Sequence, residues 1–224
     1  MSYIKADNLV KKYGNGNSTV TAIGGISFQI ESGEFIGVMG ESGAGKSTLL
    51  SMMGAMNAPT SGSLIVDDID VYHLSREQRA DFRREFLGFI FQSFHLVPYL
   101  TVLENVMLPL AIVKIGKRKK REMAEQALSQ VGLSDKARRL PGQISGGEKE
   151  RVAIARSIVN EPPVLLADEP TGNLDSKTSS EIMKLLQSLN EEGMTIIMVT
   201  HSHESAKYAQ RILKVSDGVL ISGN

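Results

Sequence analysis

The chain contains no cysteine. Disulfides and cysteine-ligated metal centres are therefore excluded, and the redox compartment stays open. It also lacks an excess of either charge: 25 Lys+Arg stand against 25 Asp+Glu. No overall basic field argues for nucleic acid or anionic lipid, which leaves room only for a local patch. Long apolar runs are missing too. The longest candidate, LTVLENVMLPLAIV, is shorter than the roughly 18 residues of a membrane span and is interrupted by Glu104, Asn105 and Pro109. The first residues, MSYIKADNLVKKYG, have no apolar core of the kind a signal peptide needs. The expectation is a cytoplasmic protein whose link to a membrane, if it has one, runs through a partner.

What is present is ordinary for a globular chain. Its 224 residues are 42% hydrophobic and 22% charged, enough for one large domain or a core with a built-in subdomain. TVTAIGGISFQIESGEFIGVMG is rich in β-branched and aromatic residues with glycine breaks, and predicts strands and turns. EFIGVMG is the nearly continuous apolar run of a strand buried on both faces. It leads into a glycine-rich loop and then an apolar helix, KSTLLSMMGAM, whose Met52, Met53 and Met56 are expected in the core. SGSLIVDDIDV predicts a return to strand. Residues 93–158 are mostly helical by pattern and too long for a simple connection, so a separate lobe is expected. REMAEQALSQVGL should stop at Gly132. PVLLADEP and MTIIMVTH are two more buried-type strands, and between them Ile182, Leu185, Leu186 and Leu189 share one helix face. RILKVSDGVLIS predicts a hairpin turning at Asp217-Gly218. Strands alternating with helices around such a loop indicate a parallel α/β core.

The loop GESGAGKST carries the chemistry. Gly40, Glu41, Ser42, Gly43, Ala44, Gly45, Lys46, Ser47 and Thr48 fit the phosphate-loop pattern in full. Glycines let successive N–H groups turn inward around a phosphate, Lys46 supplies a point charge, and Ser47 offers a hydroxyl to Mg²⁺. In PVLLADEPTGNLD, Asp168 ends a strand where it can serve the Mg²⁺ shell, and Glu169 projects differently, toward an attacking water. His201 closes MTIIMVTH at the same kind of edge. His73, His95 and His203 are read as structural. Gln92 ends FLGFIFQ and adds another polar group. Tyr13 could stack on a base or simply pack. A second glycine pair, in GQISGGEKERVAIAR, resembles an anion-binding helix start but has no phosphate-clamping lysine. It is half of a site.

In their order, Tyr13, GESGAGKST, Gln92, ISGGE, LLADEP, NLD and His201 resemble the ATP-binding subunits of ABC transporters, over essentially the whole chain. LLADEPTGNLD with ISGGEKERVAIAR looks most like the branch that contains lipoprotein-release, macrolide-efflux, peptide-resistance and cell-division ATPases. The resemblance implies one ATP-binding domain over residues 2–224. It would have a P-loop NTPase core with a mainly parallel sheet, an N-terminal antiparallel β subdomain and a helical insertion at about 93–158. It also accounts for the half site: Ser145, Gly146, Gly147 and Glu148 would cap the γ-phosphate of ATP held by a second copy, and Asp175 would bridge the copies. Tyr13 would stack on adenine, and Gln92 would sense Mg²⁺ and the membrane subunit. Asp168 and Ser47 would hold Mg²⁺, Glu169 would polarise water and His201 would contact the γ-phosphate. The implied partners are a second copy in the ATP-bound state and an integral-membrane permease, with no nucleic acid. The chain would sit at the inner face of the cell membrane.

Three positions depart from the commonest family pattern: Ile144 for leucine, Glu148 for glutamine and Glu41 for proline. None removes a catalytic group. The basic run KIGKRKKRE, with no interleaved aromatics, reads as a solvated face. An ABC-type ATPase acting on DNA would need a long heptad insertion between Gln92 and Ser145, and a translation factor would need two cassettes. A small-molecule kinase would need neither ISGGE nor the DE pair. The sequence names no substrate.

Overall fold

The apolar runs lie at the centre of the molecule, whose computed structural model describes residues 3–14 and 18–223. Strands β3 (Phe35–Met39) and β8 (Thr195–Thr200) are buried at every position, and β7 (Val164–Asp168) at every position but its last. They pair in parallel, with β6 (Leu87–Ile90) beyond β7 and β9 (Arg211–Ser216) beyond β3. Strand β10 (Val219–Gly223) adds antiparallel to β9, which closes the order β10-β9-β3-β8-β7-β6. The turn between β9 and β10 is Asp217-Gly218, both at positive φ.

Successive residues of a strand point to opposite faces, and both faces are apolar here. Val164, Leu166, Ile197 and Val199 face one core with helix α1 (Lys46–Met53). That core also contains the antiparallel sheet of β1 (Ile4–Tyr13), β2 (Val20–Ile30), β4 (Ser61–Val66) and β5 (Ile69–Asp70), in the order β2-β1-β4-β5. Leu165, Ala167, Ile196 and Met198 face the second core. Helix α6 (Ser176–Glu191) covers it with Ile182, Met183, Leu186 and Leu189, while Leu185 is only half-buried. Helices α3 (Val102–Met107), α4 (Lys117–Gln130) and α5 (Gly146–Ile158) join the same cluster through Val106, Leu128 and Ile154.

Three local readings need correction. Met52 and Met53 are buried, but Met56 lies past the end of α1 and is 49% exposed. The helix expected over REMAEQALSQVGL begins earlier, at Lys117, so the residues of the basic run from Lys117 on form its first turns, because helix propagates readily through lysine and arginine. Strand β6 stops at Ile90, two residues short of Gln92. Before it comes a helix the apolar pattern does not announce, α2 (Arg76–Phe86), with Phe82 as its one buried side chain. It starts on a capping box in which Ser75 accepts from the Gln78 N–H and Gln78 accepts from the Ser75 N–H.

The segment after Gln92 has no helix until Thr101 caps α3, and its shape is held by one side chain. Asn105 is fully buried. Its Oδ1 accepts from the Val97 N–H at 2.7 Å, and its Nδ2 donates to the carbonyls of Val97, Leu100 and Thr101 at 3.0–3.1 Å. Replacing Asn105 with alanine strands these groups, and leaving buried polar groups unpaired costs about 1–3 kcal/mol each. We expect Asn105→Ala to lower stability by about 2–4 kcal/mol in urea titration. It should also speed proteolytic cleavage between residues 97 and 101 selectively. A loss below about 0.5 kcal/mol with unchanged cleavage would exclude the clamp.

Candidate functional site

The phosphate-loop residues sit between β3 and α1, at the carboxyl edge of the sheet. Gly45 is left-handed (φ 100°), and a Cβ there would stand 2.5 Å from the Ala22 carbonyl, so the turn into α1 requires glycine. Lys46 is buried and donates to the carbonyls of Gly40 and Glu41 at 2.7 and 2.8 Å. The loop is braced from the far end of the chain. The Gly218 N–H donates to the Ala44 carbonyl at 3.1 Å, while the Gly218 carbonyl accepts from Gly24 at 2.7 Å.

Sheet order 3-8-7 places three strand ends side by side. Ser47 Oγ lies 3.5 Å from Asp168 Oδ1 at the end of β7. Burial raises the Asp168 pKa first, and the adjacent Glu169 carboxylate raises it further, against the Ser47 hydrogen bond and the Lys46 charge. Glu169 turns left-handed (φ 50°) and donates its N–H to the Val199 carbonyl of β8. That turn sends its side chain away from the direction Asp168 takes. A non-glycine residue pays about 1–2 kcal/mol for such a backbone, and strain of this kind clusters at working sites. Past the end of β8, His201 Nδ1 is 2.6 Å from Glu169 Oε2. At that distance Nδ1 donates to the carboxylate and Nε2 remains for another partner.

A cleft of about 670 Å³ is lined by Ser42, Gly43, Gly45, Lys46, Ser47 and Thr48 together with Gln92, Glu169 and His201, and Asp168 lies beside it through Ser47. Gln92 is exposed, and its carbonyl accepts from Asn173 Nδ2 at 2.8 Å, which ties it to the loop after β7. Tyr13 is not among the lining residues. It is 44% exposed, its hydroxyl accepts from Asn57 Nδ2 at 2.5 Å, and the Lys11 ammonium lies 5.1 Å from its ring centre. His73, His95 and His203 all lie at the surface, where His73 pairs with Asp70.

Ser145, Gly146, Gly147, Glu148 and Asp175 do not line the cleft. They form two adjacent helix starts. Ser145 caps α5 by accepting from the Glu148 N–H at 3.2 Å, and the Glu148 carboxylate accepts from the Ser145 N–H at 2.7 Å. That backbone hydrogen bond, foremost, holds the Glu148 pKa below the usual glutamate value. Asp175 caps α6 by accepting from the Lys177 and Thr178 N–H groups at 3.0 Å. A Cβ on Gly147 would collide with the Thr178 side chain, and Arg151 pairs with Glu181 at 2.6 Å. Two helix N-termini thus stand together, each presenting N–H groups and partial positive charge to the surface.

One buried group escaped the sequence reading. Glu150 is 1% exposed, and its Oε1 is, among the described residues, the one buried side-chain atom without a hydrogen-bond partner. Burial pushes its pKa up to about 8, against the opposing charge of Arg156. The signal was a carboxylate in register with Ile154 and Ile158 on the apolar stripe of α5.

Comparison with known proteins follows the same lines. Residues 23–172 match the family described as ABC transporter. An uncharacterized ABC transporter ATP-binding protein of Methanocaldococcus jannaschii is 47% identical over 218 residues, covering 97% of each chain. The macrolide export ATP-binding/permease protein MacB of Syntrophobacter fumaroxidans is 44% identical over 98% of this chain but only 31% of its own length. Among solved structures, the dimeric post-hydrolysis state of the ATP-binding cassette MJ0796 bound to ADP and Pi superposes with a TM-score of 0.89. It is 40% identical and covers 99% of this chain and 97% of its own.

Glu150 generates a pH dependence with a definite sign. Its folded pKa is about 8, above the ordinary 4.5. Its contribution is therefore fully present below about pH 4.5 and is lost as pH rises through 8. Glu148 has the opposite sign, with a depressed folded pKa whose contribution is lost only as pH falls below the glutamate range. Between pH 6 and 8.5, the urea midpoint of the wild type should fall relative to Glu150→Gln. A gap between the two proteins that does not change with pH would contradict the assignment.

Proposed function

The chain belongs to the ABC transporter family and is an ATPase, and on that premise we propose that it is the ATP-hydrolysing subunit of a membrane complex. Two copies close around two ATP molecules and drive an integral-membrane partner, for export, lipoprotein release or force transmission. The observation that carries this reading is the separation of two half sites on one chain. The cleft is lined by Lys46, Ser47, Glu169 and His201, with Asp168 beside Ser47, while Ser145, Gly146, Gly147, Glu148 and Asp175 at the starts of α5 and α6 are not among its lining residues. A second copy, head to tail, supplies what each cleft lacks. The dimeric cassette of 40% identity supports this, and the macrolide-export relative supports a membrane-spanning partner.

Within the cleft, the loop N–H groups, Lys46 and the start of α1 bind the phosphates of ATP. Tyr13 packs on the adenine, and residues 93–158 form the helical subdomain beside the core. The donor set suits Mg²⁺: Ser47 Oγ and Asp168 Oδ1 are hard oxygens 3.5 Å apart, and Asp168 carries the electrostatic stress of burial and of Glu169 that a cation relieves. Gln92 would complete this set. When bound, Mg²⁺ supplies positive charge to the β- and γ-phosphate oxygens. Glu169 accepts a proton from the attacking water. His201, oriented by its 2.6 Å hydrogen bond to Glu169, contacts the γ-phosphate. Ser145, Gly146, Gly147, Glu148 and Asp175 serve the opposite copy.

The partner's docking place is a second groove of about 450 Å³. Of the segment after Gln92, His95 lines it, Leu103 is buried and Tyr99 is 80% exposed. The groove lies beside that segment, lined by Leu87, Phe89, Phe91, Pro109 and Ile112 and flanked by Arg83 and Arg84. It suits an amphipathic helix of the membrane subunit. Arg156 links the two places by donating to the carbonyls of Phe94 and His95 at 2.7 and 2.6 Å. Motion at Gln92 therefore reaches the groove through bonded groups.

Two experiments follow. Glu169→Gln keeps the shape and removes the base, so ATP binding survives while turnover falls by roughly two to four orders of magnitude. With ATP this variant dimerises in light scattering, and adding Ser145→Arg abolishes the dimer without abolishing ATP binding. Normal turnover, or a dimer indifferent to Ser145, would count against the composite site. Separately, Ile112→Glu in the groove and Tyr99→Glu on the neighbouring turn should reduce co-purification with the membrane subunit while the soluble ATPase rate stays near wild type. Undiminished co-purification of both variants places the docking site elsewhere.

A further inference from the structure

Between Asn105 and Arg121 the chain has no acidic residue and six cations: Lys114, Lys117, Arg118, Lys119, Lys120 and Arg121. In a protein of zero net charge this is a concentrated patch, and the structure holds it together. Lys120 Nζ donates to the Ala111 carbonyl at 3.0 Å, which pins the first turns of α4 against the 3-10 turn Leu108–Ile112. Arg118 and Arg121 are partly neutralised by Glu122 and Glu125 one turn on. Lys114, Lys117 and Lys119 are exposed and have no ion-pair partner among the described residues.

Aliphatic side chains lie open in the same stretch. Leu108 is 40% exposed, Ile112 70% and Ile115 36%. Ile112 is also on the wall of the docking groove, so the patch continues outward from it. The local electrostatics run against folding: cations crowd the positive end of α4, where they oppose the helix dipole. Helices α2, α3 and α5 each place an acid in that first turn. Local choices that oppose the fold mark positions kept for another purpose.

Cations interleaved with exposed aliphatics, and no aromatic ring between Asn105 and Arg121, fit a surface with phosphate outside and hydrocarbon beneath. They do not fit stacked bases. We propose that the Leu108–Arg121 edge rests on the anionic headgroups of the lipid bilayer, beside the site where the membrane subunit docks. The lysines face lipid phosphates, and Ile115 lies at the headgroup boundary. The orientation rests on the groove being the docking site. The lipid contact itself is a property of the isolated chain, so it is tested without the membrane subunit. Such a contact is weak alone and salt-sensitive, and it would orient the ATPase under its partner.

The test is co-sedimentation of the purified protein with vesicles of phosphatidylcholine alone or mixed with phosphatidylglycerol. Wild type should bind the mixed vesicles at low salt, release at about physiological ionic strength or above, and ignore the neutral ones. The triple variant Lys114→Glu, Lys117→Glu, Lys119→Glu should lose at least about tenfold in binding. Its soluble ATPase rate and circular dichroism should match wild type. Ile115→Ser should weaken binding at unchanged charge. The proposal is overturned if wild type does not bind mixed vesicles, if the triple variant binds as well as wild type, or if poly-U competes as effectively as vesicles. It is also overturned if the triple variant loses co-purification with the membrane subunit in lipid-free detergent, because the lysines would then face protein.

Discussion

Parallel strands are stable only when both of their faces are covered, and in this protein nearly everything else follows from that requirement. The alternate side chains of β7 and β8 need two separate apolar covers. One is built from α1 and the antiparallel sheet, the other from α3 to α6. Because β3, β8 and β7 run the same way, whatever follows each strand emerges at one edge. Lys46 and the loop before it, the Asp168–Glu169 pair and His201 meet there although 155 positions separate Lys46 from His201. The polar site is a product of strand direction.

The paired helix starts at Ser145 and Asp175 have a different origin, in the unpaired N–H groups of helix ends. Ser145, Glu148 and Asp175 satisfy their own helices before they can touch anything else. Glutamine at position 148 could accept the same hydrogen bond. Glutamate adds a charge that suits the helix dipole. The departure from the commoner residue is thus accounted for within one turn of backbone.

The elements most legible in sequence were those whose burial is total. EFIGVMG, PVLLADEP and MTIIMVTH have no polar face, and their strands lie where the apolar runs do. The catalytic candidates were legible because each follows such a run directly. What escaped notice depended on groups that do not repeat along the chain. Helix α2 buries a single side chain, Phe82, so no periodicity marked it, and only the Ser75–Gln78 box could have. Met56 follows two buried methionines but falls beyond the last turn of α1. The groove lined by Leu87, Phe89, Pro109 and Ile112 had no mark in the sequence, because it forms where β6 and the Leu108–Ile112 turn come together, a pairing set by tertiary packing. Glu150 lies on the apolar stripe of α5, but its burial depends on the elements that pack over that stripe.

The Gly218 turn sets an order of events. Its N–H and carbonyl tie the loop at Ala44 to the start of the Gly24 segment, and strand β3, from which that loop springs, is flanked by β8 and β9 from the final third of the chain. A ribosome makes the loop residues early and the groups that hold them late. Most of the chain must be synthesised before the loop has walls, and during that time the apolar β3 waits exposed. A nascent chain stalled short of β9 would carry every phosphate-loop residue yet lack a rigid place for the phosphate.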